Sequence, residues 1–348
     1  MWKYVLKRIG LIVLTAFIIL SISYILIQTL PVAPPEGGAA VQIAFYDQQV
    51  DLGYYMKVTL AEVIEKYPDA VPVIDANGAT TYYQAVPVLD RYIHWLGNIF
   101  TQWNWGVSTS ISVNRGAMEI IMERLPITIE LNVISIILST PLGIAIGVWA
   151  ALKKNKPTDT IISTLIMIFI SVPSFVLISF MLLWFTYYND WLPQAWPSAI
   201  AIAADPSLFF RGLIIPVLAL SFGSIAGFGR YTRAELCEVM NSEFLLLART
   251  KGLTKGQSIL SHALRNSMVP IVPMIIGQFI SIMSGSMVLE QLYSIPGTGQ
   301  LFVTALNSRD YAVVMVDMAM YTIIGLFATL LVDLSYGVVD PRIRMGQR

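Results

Sequence analysis

Long apolar runs set the limits on what this chain can fold into. About 20 consecutive apolar residues suffice to cross the hydrocarbon core of a bilayer as a helix, and the sequence holds six such runs. They extend approximately from Ile9 to Leu30, Ile127 to Leu152, Thr160 to Tyr187, Leu213 to Phe228, Val269 to Leu289 and Ala312 to Val332, the fourth being the shortest. Of 348 residues, 56% are hydrophobic and 13% charged, roughly half the charged share of a soluble domain. Lipid is therefore the expected solvent, and six transmembrane helices in an all-α membrane protein the expected fold class.

The first run follows Lys3, Lys7 and Arg8, as in a signal peptide, but it outlasts the usual apolar core of about 7 to 15 residues and no clean small-residue cleavage motif follows. It reads as a span. With the N-terminus inside, 15 of the 22 Lys and Arg residues fall on the inner side and seven outside. Basic loops stay cytoplasmic, so both termini are expected there, and six spans return the C-terminus to the starting side. Formal net charge is zero, which implies no bulk attraction to nucleic acid. The lone cysteine, Cys237, excludes an intrachain disulfide.

The expected partition is 1–30 for the cytoplasmic start and first span, 31–126 for an enlarged extracytoplasmic segment, 127–335 for a core with five spans, and 336–348 for a cytoplasmic tail. The outer segment carries ten acidic and five basic residues. It opens on PVAPPEGG, continues through an expected helix around Tyr54 to Lys66, and has a turn signal at DANG, Asp75 to Gly78, so DANGATTYY reads as a small hairpin. RYIHWLGNIFTQWNWGVS is aromatic and weakly charged, as expected at a membrane interface. KKNKPTD, Lys153 to Asp159, reads as an inner hairpin with a helix-start signal. Trp191 to Gly212 reads as an outer loop with interfacial tryptophans. Pro141, Pro173, Pro216 and Pro273 lie in or beside spans, where they kink helices.

One inner segment, 240–268, departs from this apolar background. EFLLLARTK forms a short helix that Asn241 or Ser242 can cap, and Gly252 supplies the left-handed residue that ends it. Thr254 and Gln257 form a capping box for a second helix. Lys255, Ser258, His262 and Arg265 make its polar face, Ile259, Leu260, Ala263 and Leu264 the opposite one, and Pro270 marks re-entry into the membrane. The residues leave two readings open: a helix held to anionic lipid, or a docking element for a cytoplasmic partner whose groove takes the run Phe244 to Leu247.

LLLARTKGLTKGQSILSHALRNSMVPIV resembles the cytoplasmic loop of permease subunits of ATP-binding cassette (ABC) importers, in the version of the dipeptide and oligopeptide permease family. Gly252 matches the family's glycine, Ala248 its preceding small residue, and His262 to Pro270 its second half. MWKYVLKRIG resembles the family's start, ERLPITIELNVIS (Glu123 to Ser135) its entry into the second span, EQLYSIPGTGQLFVTALNSRDYAVV (Glu290 to Val314) its last outer loop, and YGVVDPRIR (Tyr336 to Arg344) its ending. PVAPPEGG stands where family members have a PGDP-like turn, and the outer segment is some tens of residues longer than the family pattern.

The resemblance implies a type I ABC importer permease in a prokaryotic plasma (inner) membrane, carrying di- or oligopeptides, with oligosaccharides or another small solute as the alternative cargo. It implies a second homologous permease, two ATPase subunits and an extracytoplasmic solute-binding protein as partners. Leu246, Leu247, Ala248, Arg249, Thr250, Lys251, Gly252 and Leu253 are the residues expected to couple to the ATPase. No cofactor and no catalysis are expected: GLTKGQS and PGTGQ lack the spacing and the Lys-Ser/Thr pair of a phosphate loop. His94 and His262 fall on opposite sides, so they cannot share a metal. Asp317 and Asp333, carboxylates in the last span, mark a rival class, a proton-coupled carrier. Glu290 to Arg309, with its PGTG, reads as either an ordinary outer loop or a gate-like one.

Overall fold

The computed structural model describes residues 2–30, 34, 37–283 and 287–339. The last six residues of YGVVDPRIR matched above begin with Val339, and from Asp340 on they lie outside the described residues, as does most of PVAPPE. Helix α1 is Trp2–Gln28. It is followed by α2 (Ala39–Asp51), β1 (Tyr55–Val58), α3 (Leu60–Glu65), β2 (Val71–Ile74), β3 (Thr80–Ala85) and α4 (Val88–Gln102). The rest is helical: α5 (Ala117–Leu152), α6 (Pro157–Ser171), α7 (Ser174–Met181), α8 (Ala199–Ala204), α9 (Ser207–Val239), α10 (Glu243–Thr250), α11 (Lys255–Ser258), α12 (Leu264–Met283), α13 (Met287–Leu292), α14 (Thr298–Asn307) and α15 (Tyr311–Val339). Among the described residues, five helices are long and apolar enough to cross a membrane, and a bent pair makes a sixth where it counts as one span.

The spans differ from the sequence expectation at their ends. α5 begins at Ala117 and runs through Pro126 and Pro141 without a break. The run expected to be shortest is the core of α9, one of the longest helices, because SLFFRG before it and GRYTRAELCEV after it continue the helix beyond the apolar stretch. The third run is broken: α6 and the helix from Ser174 to Tyr188 meet at 98°. Pro173 lacks the amide hydrogen a continuous helix needs there, and Val172 before it is extended. Residues Leu182–Tyr188 continue α7 as a π-helical stretch.

The center of the bundle is the crossing of α5 and α9. Gly143 and Gly147 bring the backbones together. A Cβ at Gly143 would lie 2.6 Å from Phe228 Cβ, and one at Gly147 would lie 2.6 Å from the Gly229 carbonyl oxygen. Small residues spaced by four let membrane helices approach this closely. Ser135 and Ser221, both fully buried, join the helices by a hydroxyl pair at 3.0 Å. At one end of the crossing Arg233 donates from Nε and Nη2 to the two Asp159 oxygens, at 2.6 and 2.8 Å. That bidentate pair ties the start of α6 to α9. α1 stays peripheral against α15, where Arg8 meets Asp333 at 2.9 Å.

The segment between α1 and α5 holds a small domain. Its antiparallel sheet has the order β1-β3-β2, so DANG is the hairpin turn expected: Asp75 Oδ1 accepts from the Asn77 and Ala79 amides at 2.8 Å, and Gly78 has φ 83°. The helix expected from Tyr54 to Lys66 is a strand followed by a helix, because the Thr59–Glu62 capping box starts α3 only at Leu60. Pro72 is accommodated because β2 is an edge strand. Tyr83 is the domain's core residue, stacked on Tyr46 of α2 at 4.9 Å, with its hydroxyl donating to Asp47 at 2.7 Å. Tyr83, and then Lys57, hold the Asp47 carboxyl below the ordinary carboxylate range. The sheet leaves the membrane part all helical.

Three clusters order the molecule along α5. The first joins Tyr24 and Ile27 of α1, Trp105, Ala117 and Ile121 to Val313 and Val316 of α15. The second centers on Leu131, Ile215, Leu289 and Tyr293. The third, at the far end, holds Ala151, Leu236, Leu245, Ile259 and Ala263. At 1.5 Å per residue along α5, the first and third clusters are separated by about 50 Å, which is more than the thickness of a bilayer core.

Candidate functional site

The segment that follows α9 is built as a hinge between two helices. No bond from the side chains of Asn241 and Ser242 to α10 is found among the described residues. These side chains turn back, Asn241 Nδ2 to the Cys237 carbonyl at 3.1 Å and Ser242 Oγ to the Val239 carbonyl at 2.5 Å, closing the end of α9 instead. α10 ends as expected: Gly252 has φ 91°, and the Leu253 amide reaches back to the Ala248 carbonyl at 3.4 Å, the long bond of a Schellman closure. Thr254 then starts the next helix with both halves of its capping box in place, the Thr254 amide to Gln257 Oε1 at 3.0 Å and the Gln257 amide to Thr254 Oγ1 at 3.3 Å.

Beyond the box the structure departs from the expectation of a separate second helix. Residues Ile259–Ala263 form a π-helical turn that runs into α12, so Pro270 lies inside a continuous helix and does not start a separate one. A π turn inserts a residue and shifts the helical phase. Ser258, expected on the polar face, is fully buried with Ile259 and Ala263, whereas Gln257 and His262 are exposed. The segment is therefore continuous with a membrane-length helix.

The expected coupling residues divide into two groups. Ala248 is buried, and so is Leu245, which packs with Leu236 and Ile259; these hold α10 to its own chain. Leu246 and Leu247 point the other way, 59% and 58% exposed. Thr250, Lys251 and Gly252 are also exposed, and Leu253 is half-buried. Arg249 lies within α10. Sequence reasoning missed Leu245 as the anchor. The run of three leucines was visible, but a helix of eight residues turns each to a different side, and only the packing says which faces in.

A second polar site lies near the opposite end. PGTG is neither an open loop nor an ordinary turn: α13 and α14 pack as a short hairpin, and its center encloses Glu290, 2% exposed. Tyr321 donates to Thr298 Oγ1 at 2.5 Å, Thr298 to Thr128 Oγ1 at 3.2 Å, and Thr128 to Glu290 Oε1 at 3.1 Å. The Gln300 amide donates to Glu290 Oε2 at 3.0 Å. A Cβ on Gly297 would lie 2.5 Å from both Glu290 Oε2 and Thr128 Oγ1. The glycines are thus required by the carboxylate they wrap. Gly297→Ala is expected to destabilise the fold by about 3 kcal/mol, seen as a lower thermal midpoint of the detergent-purified chain.

The two carboxylates of the last span have different surroundings. Asp333 is paired with Arg8. Asp317 is fully buried, and neither carboxylate oxygen has a hydrogen-bond partner among the described residues. His94 on α4 and His262 beside α12 sit at opposite ends of the molecule. No three His, Cys, Asp or Glu side chains among the described residues converge on a point that would hold a metal.

Membrane-length helices, one pair of them bent at Pro173, define a multi-pass membrane protein. The family of binding-protein-dependent transport system inner membrane components matches residues 143–345, and the chain belongs to it. It is 31% identical to the dipeptide transport system permease protein DppB of Lactococcus lactis, over 99% of this chain and 100% of that one. It is 28% identical to DppB of Bacillus subtilis over the full length of both. With the oligopeptide transport system permease protein OppB of Escherichia coli it shares 29% identity, over 99% of this chain and 100% of OppB. Among solved structures, a chain of the inward-facing methionine ABC transporter MetNI superposes with a TM-score of 0.51 at 15% identity, covering 64% of this chain and 97% of that one. That likeness shows the fold, the type I arrangement. As a permease of this family the chain is a transport subunit of the inner membrane. It works with ATPase and substrate-binding partners, and ATP is hydrolysed by the separate subunit.

Proposed function

We propose that the chain forms half of the pore of a peptide importer, beside a second homologous permease, above two ATPase subunits and below an extracytoplasmic solute-binding protein. The reading of the cargo as di- or oligopeptides is supported by end-to-end similarity to proteins named for dipeptide and oligopeptide transport. The sheet domain, within 31–126, faces outward in this reading, the core 127–335 carries the pore, and both termini and 336–348 are cytoplasmic. The excess of Lys and Arg on the side of the hinge supports that orientation.

One observation carries the role assigned to segment 240–268: α10 is anchored by Leu245 and Ala248 and leaves Leu246 and Leu247 without cover. A short rigid helix closed at Gly252 can pass on a rigid-body displacement. Leu246, Leu247, Arg249, Thr250, Lys251 and Leu253 then meet the ATPase around the Gly252 joint, and Ala248 supports them from behind. The test is mild detergent extraction of the native membrane, followed by reconstitution of whatever copurifies. ATPase subunits are expected in the preparation, and uptake of short peptides into the vesicles is expected to need ATP. Uptake driven by a proton gradient without ATP would overturn the reading in favor of a carrier built around Asp317.

A further inference from the structure

A cavity of about 410 Å³ opens where the sheet domain meets the membrane-spanning helices. Gln28 at the end of α1, Gln48 of α2, Tyr54, Arg91 of α4, Thr109 and Arg309 after α14 contribute to its wall. Two lining residues are arginines and none is a carboxylate. This runs against the local composition, since residues 31–126 carry twice as many acidic as basic side chains. The carboxylate next in sequence, Asp310, is fully buried and does not line the cavity. Its Oδ2 accepts from Ser108 Oγ at 2.5 Å and from the Ser110 and Ile111 amides at 3.1 Å.

Arg91 is held in place but not satisfied. Its Nη1 donates to Gln28 Oε1 at 2.7 Å, and its guanidinium carbon lies 5.9 Å from the centroid of the Tyr54 ring. Its Nε is buried and has no partner among the described residues. A buried charged donor without an acceptor is costly, and the guanidinium fork matches the paired oxygens of an oxyanion. Arg309 stands exposed at the rim, with its backbone turned to φ 56° and the anchored Asp310 directly behind it. The cavity lies where α1 ends and α15 begins, because Gln28 and Tyr311 both line it. With α1 and α15 as spans, this places the cavity beside the ends of two membrane-length helices, where headgroups are expected.

We propose that this cavity binds a phosphate-class oxyanion between Arg91 and Arg309, taken either from an anionic lipid headgroup or from free phosphate. The uncharged donors of the wall supply hydrogen bonds to the oxygens that the two arginines leave. Either source presents the same group, and the two differ in what must be added to fill the site.

The test uses the full chain with its copurifying subunits in lipid nanodiscs, and it reads the thermal midpoint. One arm compares phosphatidylcholine alone with phosphatidylcholine plus phosphatidylglycerol. The other titrates inorganic phosphate into phosphatidylcholine discs against chloride at equal ionic strength. A rise in midpoint of several degrees is expected in at least one arm: a rise with phosphatidylglycerol alone assigns the lipid headgroup, and a saturable rise with phosphate assigns the free ion. Arg309→Gln, on the exposed rim, is expected to fold normally and to weaken the response roughly tenfold, as loss of one charge-assisted pair would. Arg91→Lys keeps the charge but loses the fork, and it is expected to weaken the response as well. No response in either arm, or a response unchanged in both variants, would overturn the proposal.

Discussion

Gly147→Leu is expected to leave almost no folded protein in the membrane. The new side chain would start 2.6 Å from both the Gly229 carbonyl oxygen and Thr232 Cβ, and 3.1 Å from the Arg233 amide nitrogen. Two of these three obstacles are backbone, so no rotamer change relieves the clash. The helices must part, and with them goes the Ser135–Ser221 pair that joins them. Overpacking of a close contact costs about 1–3 kcal/mol where side chains can yield. Here the cost should exceed about 4 kcal/mol. Gly10→Leu is the control, since nothing lies within 4 Å of a Cβ at that position of α1. Size-exclusion profiles of fluorescently tagged protein extracted from membranes should show a sharp peak for Gly10→Leu and aggregate for Gly147→Leu. A monodisperse Gly147→Leu protein would mean that the crossing is not the structural center we describe.

The second large effect is on transport. Replacing Leu246 and Leu247 together by Asp should abolish ATP-dependent uptake, at least a hundredfold down, and release the ATPase subunits from the purified complex. Both side chains are mostly exposed in this chain, so the folded protein loses little, whereas two carboxylates in an apolar groove of a partner cost several kcal/mol. Leu245→Asp should behave differently: it places a charge among Leu236, Ile259 and Ala263, so it should lower the thermal midpoint of the isolated chain. Gly252→Val tests the joint rather than the surface. No atom lies within 4 Å of a Cβ there, so the whole penalty is the φ of 91°, roughly 1–2 kcal/mol or more for a β-branched residue. We expect the Val variant to insert and fold but not to import, and Gly252→Asn, which tolerates this region, to retain part of the activity. Normal import by both the double Asp variant and Gly252→Val would remove the coupling role from this segment.

Much of the hinge was legible in the sequence because its determinants are local. The capping box depends on two residues three apart, and the closing glycine on one φ angle. The same holds for the DANG hairpin. What failed were inferences that needed a neighbor. Asn241 and Ser242 were available to cap α10, but the open carbonyls at the end of α9 were nearer. A regular helical period puts Ser258 on a polar face, and the π turn at Ile259–Ala263 breaks that period. PGTG was visible as a motif, yet its reason, the Glu290 carboxylate packed against Gly297, depends on a fold-back between α13 and α14.

The sequence by itself determined the solvent, the apolar runs that become membrane-length helices, and the family, because apolar length and short motifs are properties of contiguous residues. Only the tertiary structure decided which face of α10 is free, why Gly143 and Gly147 must be glycine, where the third span breaks, and that Arg91 and Arg309 share a cavity. Each of these is set by atoms far apart in the chain and close in space, and such distances are not written in any local pattern.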